Sequence, residues 1–155
     1  KGFTLREAAV AVSISGIIGS AVSIAVPHYV EGLKDPRWAI VLVSAVMTLG
    51  FFMITVQEGA ILLLWLTISN IGISIVFPIA LLLYGAKSES PEATRNLSTM
   101  VQSLAYILSS TGPLFMGRLH DHFNSWDAAM YGVVVLCLLQ LVTGWIVGKP
   151  SKIAY

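Results

Sequence analysis

Three sets of side chains could engage a small molecule, and each recurs at helical spacing within apolar surroundings. Ser98, Gln102, Tyr106 and Ser109 stand four, four and three apart and are followed by Gly112-Pro113. Residues three and four apart share a helix face, so these form a polar stripe that ends in a helix break. Gln102 can both donate and accept hydrogen bonds, and Tyr106 offers a hydroxyl and a ring for stacking. Asn70, Ser74, Phe77 and Leu81 form a second face, with Pro78 beside it to kink the helix. A third stripe is Ser13, Gly16, Ser20, Ser23 and Pro27, with Gly19 completing a second small pair with Gly16. Such faces either line a wet cavity or bond helix to helix. Small residues let backbones approach closely in lipid, and an amide there is costly without a partner.

The chemistry open to these groups is binding. No Asp, Glu, Lys or Arg interrupts the stretches 8–30, 38–57, 59–86, 96–117 and 128–148. A proton relay at membrane depth usually needs an acid there, so the stretches offer no coupling carboxyl. No P-loop, zinc motif or nucleophile elbow is present, which argues against an enzyme. His120-Asp121-His122 reads as a solvated loop and not a metal site, His28 as interfacial, and Cys137 as a lipid-buried thiol. No cofactor is expected.

The elements that carry these residues follow from composition. The chain has 155 residues, 56% hydrophobic and 11% charged, with a mean hydropathy of +0.83. Soluble domains carry roughly 25% charged residues. With nine basic and eight acidic residues that cluster between apolar runs, the surface cannot be covered for water. The single cysteine excludes an intrachain disulfide, and a net charge of +1 gives no patch for nucleic acid. A helix rises about 1.5 Å per residue and must cross about 30 Å of hydrocarbon. Each of the five charge-free stretches is long enough, so the expectation is one all-α membrane domain over residues 1–155 with five transmembrane helices. Runs such as Ile61-Leu62-Leu63-Leu64-Trp65-Leu66 do not alternate as barrel strands do. Tyr29, Trp38, Tyr84, Trp126 and Trp145 lie near the stretch ends, where amphipathic rings favour the interface.

Five crossings place Lys34, Arg37, Lys87, Arg95, Lys149 and Lys152 on one side, and Lys1, Arg6 and Arg118 on the other. The richer side is expected to be cytoplasmic, together with the carboxyl terminus. The absence of an initiating methionine and the odd number of spans point to a chain that continues upstream of Lys1. Ser88-Glu89-Ser90-Pro91-Glu92 reads as a turn followed by a helix start.

Three segments carry a family resemblance. They are Ile71-Gly72-Ile73-Ser74-Ile75-Val76-Phe77-Pro78-Ile79-Ala80-Leu81, Asn96-Leu97-Ser98-Thr99-Met100-Val101-Gln102-Ser103-Leu104-Ala105-Tyr106, and Gly112-Pro113-Leu114-Phe115-Met116-Gly117-Arg118-Leu119-His120-Asp121 followed by Ser125-Trp126. The chain resembles the carboxyl-terminal half of major facilitator superfamily transporters of the CynX/NimT type, a group associated with cyanate, nitroimidazoles and other small organic compounds. The resemblance implies that the five spans match helices eight to twelve of a twelve-helix fold. It further implies an absent amino-terminal half as partner, alternating access, and a bacterial inner membrane. Helices eight, ten and eleven would border the cavity while nine and twelve face lipid, which agrees with where the polar stripes fall. Asn70, Ser74, Phe77, Ser98, Gln102 and Tyr106 are then the expected substrate contacts, Ser13 and Ser20 the cavity lining, and Gly112 and Pro113 the bending point. Gly32-Leu33-Lys34-Asp35-Pro36-Arg37 sits where the superfamily has a gating loop. Asp35 and Arg37 match that loop, whereas Pro36 replaces a usual basic residue and the later glycine is missing. The competing expectation is a non-transporting helical membrane subunit or scaffold, in which Asn70 and Gln102 only hold helices together.

Overall fold

A computed structural model describes residues 3–33 and 35–149; the loop charges expected at Lys1, Lys34 and Lys152 lie outside them. The described residues form six helices and no strand: α1 (Leu5–Glu31), α2 (Arg37–Val56), α3 (Ile61–Lys87), α4 (Pro91–Ser110), α5 (Gly112–Phe123) and α6 (Trp126–Val147). Local chemistry sets their starts. Thr4 accepts from the Glu7 amide at 3.3 Å while the Glu7 carboxylate accepts from the Thr4 amide at 2.9 Å, a reciprocal cap on α1. Ser90 accepts from the Ala93 amide at 3.1 Å and Pro91 occupies the first turn of α4, matching the turn and helix start read there. Ser125 caps α6 through the Asp127 amide at 3.0 Å.

The architecture is all-α and built for a membrane. Four helices, α1, α2, α3 and α6, are long and apolar enough to cross. The remaining expected span, 96–117, is interrupted beside the helix break read at Gly112-Pro113. It is divided between α4 and α5 with the joint at Thr111, and neither piece is among the four. Two causes are legible. Ser98, Thr99, Gln102, Ser103, Ser109, Ser110 and Thr111 dilute its apolar content, and Pro113 has no amide to donate to the Ser109 carbonyl. Hydroxyls take up the slack at the joint: Ser110 donates to the Ile107 carbonyl and Thr111 to the Leu108 carbonyl, both at 2.7 Å, and Ser109 to the Ala105 carbonyl.

The divided segment nevertheless runs from one end of the bundle to the other. The Lys87 ammonium at the end of α3 donates to the Lys149 carbonyl just past α6 at 2.6 Å, so α3 and α6 finish at the same end. A helix of 22 residues is about 33 Å long, so α6 begins at the opposite end. Only α4 and α5 connect the two.

Side by side, the helices run α1, α3, α2, α6, α5, with α4 touching α3 and α5 but not packing along α1. Missing side chains permit the close approaches. A Cβ at Gly19 of α1 would collide with Ser74 Oγ of α3, and one at Gly50 of α2 would collide with Ser69 Oγ. One at Gly144 of α6 would lie 2.5 Å from Ile40 Cγ2 of α2. Backbones this close gain dispersion contacts, the main source of helix association where lipid removes the hydrophobic drive. The apolar core is small, with Val26, Ile40 and Ile79 at its centre. Large apolar residues such as Ile17 and Ile24 stay exposed at 71% and 82%, as acyl chains permit and water does not. α2 lies between two neighbours and buries Ile40, Ser44, Met47 and Gly50, while Trp38 and Leu42 stay exposed.

Candidate functional site

The α1–α3 seam is where expected residues meet. Asn70 Nδ2 donates to Ser15 Oγ at 3.0 Å, and the fully buried Ser15 hydroxyl in turn donates to the Val12 carbonyl at 2.9 Å. Ser74, one turn along α3, donates to the Asn70 carbonyl at 2.9 Å and packs on Gly19. The packed face of α1 is therefore Ser15, Gly19 and Val26, with Ser13, Gly16 and Ser20 turned away from it. Ser13 and Ser20 are exposed and bond to the Ala9 and Gly16 carbonyls, each at 2.9 Å. Nothing lies within 4 Å of a Cβ built on Gly16. The stripe, for which spacing leaves both helix packing and a cavity wall open, is exposed along this part of α1. Phe77 also stands open, 55% exposed, two turns beyond Asn70.

On α4, Ser98, Gln102 and Tyr106 share a face, as their spacing predicts. Ser98 donates to the Arg95 carbonyl at 3.0 Å, Gln102 is half-buried, and Tyr106 is 67% exposed. The helix buries none of its residues. The structure thus places Asn70 and Ser74 together and places Gln102 and Tyr106 on a separate, unpacked helix. Gly112 and Pro113 begin α5 at the joint.

The expected gating loop is ordered by its own charges. Asp35 Oδ1 accepts from the Arg37 amide at 3.0 Å, and both carboxylate oxygens accept from Arg37 Nε at 3.1 Å. The Arg37 amide, followed by its guanidinium, holds the Asp35 carboxyl below the ordinary range. The guanidinium lies 5.3 Å from the Trp145 ring centroid, and Trp145 meets Trp38 edge to face at 5.2 Å. The loop is therefore fastened to the carboxyl end of α6.

Several polar partners escape sequence reasoning. Gln140 of α6 donates through Nε2 to the fully buried Ser44 Oγ at 3.2 Å, joining α6 to α2 much as Asn70 joins α3 to α1. A lone amide in an apolar span was the available signal. Ser69 Oγ is buried against Gly50 without a hydrogen-bond partner. His120 stacks on Trp126 with centroids 4.3 Å apart, and among the described residues no three metal-ligating side chains gather.

The chain is 26% identical to a 2-nitroimidazole transporter of Escherichia coli over 134 residues, 86% of this chain and 34% of that protein. It is 27% identical to an uncharacterized transporter of Bacillus subtilis, YycB, over 82% of this chain and 32% of that protein. It is 29% identical to a putative anionic 4-hydroxybenzoate permease of Thauera aromatica, over 76% of this chain and 69% of that protein. The chain spans about a third of the length of the first two. No family model and no solved structure matches. Transporter relatives along most of the chain, joined to an all-helical membrane architecture, fit a transporter of the CynX/NimT type.

Proposed function

We propose that this chain forms part of the carboxyl-terminal half of a secondary transporter that moves a small organic compound or anion by alternating access. The observation that carries the reading is the similarity to three transport proteins over 76% to 86% of the chain. On this reading the open sides of α1, α3 and α4 form one wall of a midplane cavity, and an amino-terminal half supplies the other. Phe77 and Tyr106 stack on substrate, Gln102 hydrogen-bonds it, and the Asn70 carbonyl oxygen of the side chain remains available while its amide holds Ser15. Ser74 and Ser98 contribute hydroxyls, with Ser13 and Ser20 lining the wall. Asp35 and Arg37 fasten the loop at one end of the bundle, and Gly112-Pro113 is the flexing point. The protein is not an enzyme, and it resides in a bacterial inner membrane with its carboxyl terminus in the cytoplasm, where the basic loops face the anionic leaflet.

The scaffold reading draws on the Asn70–Ser15 bond, which spends a polar group on helix association. Gln102→Ala in the complete transporter separates the two. Uptake or efflux should fall at least tenfold while the amount inserted in the membrane stays constant. Loss of insertion in step with loss of transport would favour the scaffold.

A further inference from the structure

We propose that α2, α3 and α6 form a binding site for one anionic phospholipid, with an acyl chain in the groove between them and the phosphate on Arg37. A cavity of about 250 Å³ lies at this junction, lined among others by Ile40, Ile79, Leu83, Tyr84, Gly144 and Val147. It shares α3 with the transport wall, but none of its lining residues is among those assigned to that wall. Its lining is almost wholly apolar and it is open on one side, so in a membrane it fills with hydrocarbon and not with water. The volume is below the roughly 300 Å³ at which pockets for drug-sized molecules begin, and suits a slender chain.

The groove has a direction. Its lining on α3 runs from Val76 to Tyr84, ending three residues before Lys87, and on α6 it ends at Val147, two residues before Lys149. On α2 it holds Ile40, one turn from Arg37. At about 1.5 Å per residue it therefore reaches about 16 Å from the Arg37–Lys87 end towards the bilayer centre. That is the path of an acyl chain whose headgroup lies at the basic end.

Arg37 is set up for a phosphate. Its side chain is 24% exposed, fixed by Asp35 at Nε and by Trp145 beneath the guanidinium, with Cγ against Gly148. Asp35 occupies Nε alone. The two Nη groups have no acceptor among the described residues, although a guanidinium is made for a planar, bidentate anion. Lys87 and Lys149 add positive charge at the same helix ends, against Asp35 and the exposed Glu89. Zwitterionic lipid fills the groove equally well but brings its own ammonium to this cluster, so the site favours an anionic headgroup.

Native mass spectrometry of the purified chain, titrated with phosphatidylglycerol and with phosphatidylcholine of identical acyl chains, tests the assignment. Phosphatidylglycerol should bind as a single molecule roughly tenfold more tightly. Arg37→Gln should abolish that preference while leaving some binding of both lipids. Ala80→Phe, which plugs the groove from α3, should remove the bound lipid of either kind. Thr143→Phe blocks it from α6 and serves if the first variant does not fold, as judged by circular dichroism. Equal retention of the two lipids by the unaltered chain overturns the proposal, as does undiminished binding in whichever plugged variant is folded.

Discussion

Asn70 carries two demands that a sequence cannot separate. Its side-chain NH2 hydrogen-bonds Ser15, which fixes α1 on α3, while its side-chain oxygen is left for another partner. Interhelical bonds of this type in membranes are worth about 0.6 kcal/mol on average and up to about 2. Asn70→Ala should therefore lower the thermal midpoint of the purified protein by a few degrees, and Ser15→Ala should lower it by a similar amount without harming transport. Equal melting of Asn70→Ala and the parent would show that the bond holds nothing together. The polar character of Asn70 was legible; its partner was not. Ser15 lies between the members of the stripe Ser13, Gly16 and Ser20, and both α1 faces are rich in small residues. Spacing defines a face but does not say which of two similar faces meets a neighbour. Gln140 and Ser44 escaped for a related reason: each is a single polar residue in an apolar helix, with no periodic companion to announce it.

Among the elements, α4 and α5 depart furthest from expectation. The break at Gly112-Pro113 was readable, because proline removes an amide wherever it stands in a helix. The low apolar content of the segment was also present in its composition, but freedom from charge counted for more than the accumulated hydroxyls. Ser109, Ser110 and Thr111 bond back to the Ala105, Ile107 and Leu108 carbonyls, so the loosened backbone is answered by side chains next to it. Pro113→Ala supplies an amide for the Ser109 carbonyl and should straighten the segment. In the complete transporter the thermal midpoint should hold or rise, while the transport rate falls several-fold. A transport rate equal to the parent's would remove the joint from the working cycle. The four remaining spans were legible to within a few residues because length and hydropathy leave a helix no alternative in lipid.

For the whole molecule, the arrangement leaves one side built and the other open. The chain α3, α2, α6 is held by glycine contacts, the Gln140–Ser44 bond and the Arg37–Trp145 stack, whereas α4 buries none of its residues and Ser13, Gly16 and Ser20 of α1 stay exposed. Order along the bundle could not be read from the sequence, because it depends on which helices approach closely, and small residues are plentiful on several of them. On the transporter reading, the open surfaces of α1 and α4 face a common aqueous hollow. The most direct test of this is cysteine accessibility in the complete transporter, with the buried Cys137 first replaced by serine. Single cysteines are placed at Ser20, at Tyr106 and, as a control, at Leu138, which is 49% exposed on α6. A membrane-impermeant maleimide applied in turn to each side of the membrane should label Ser20→Cys and Tyr106→Cys, with substrate slowing both reactions, and should leave Leu138→Cys unmodified. Failure to label Ser20→Cys and Tyr106→Cys, both behaving as Leu138→Cys does, would place the two stripes against lipid and rule out a shared hollow.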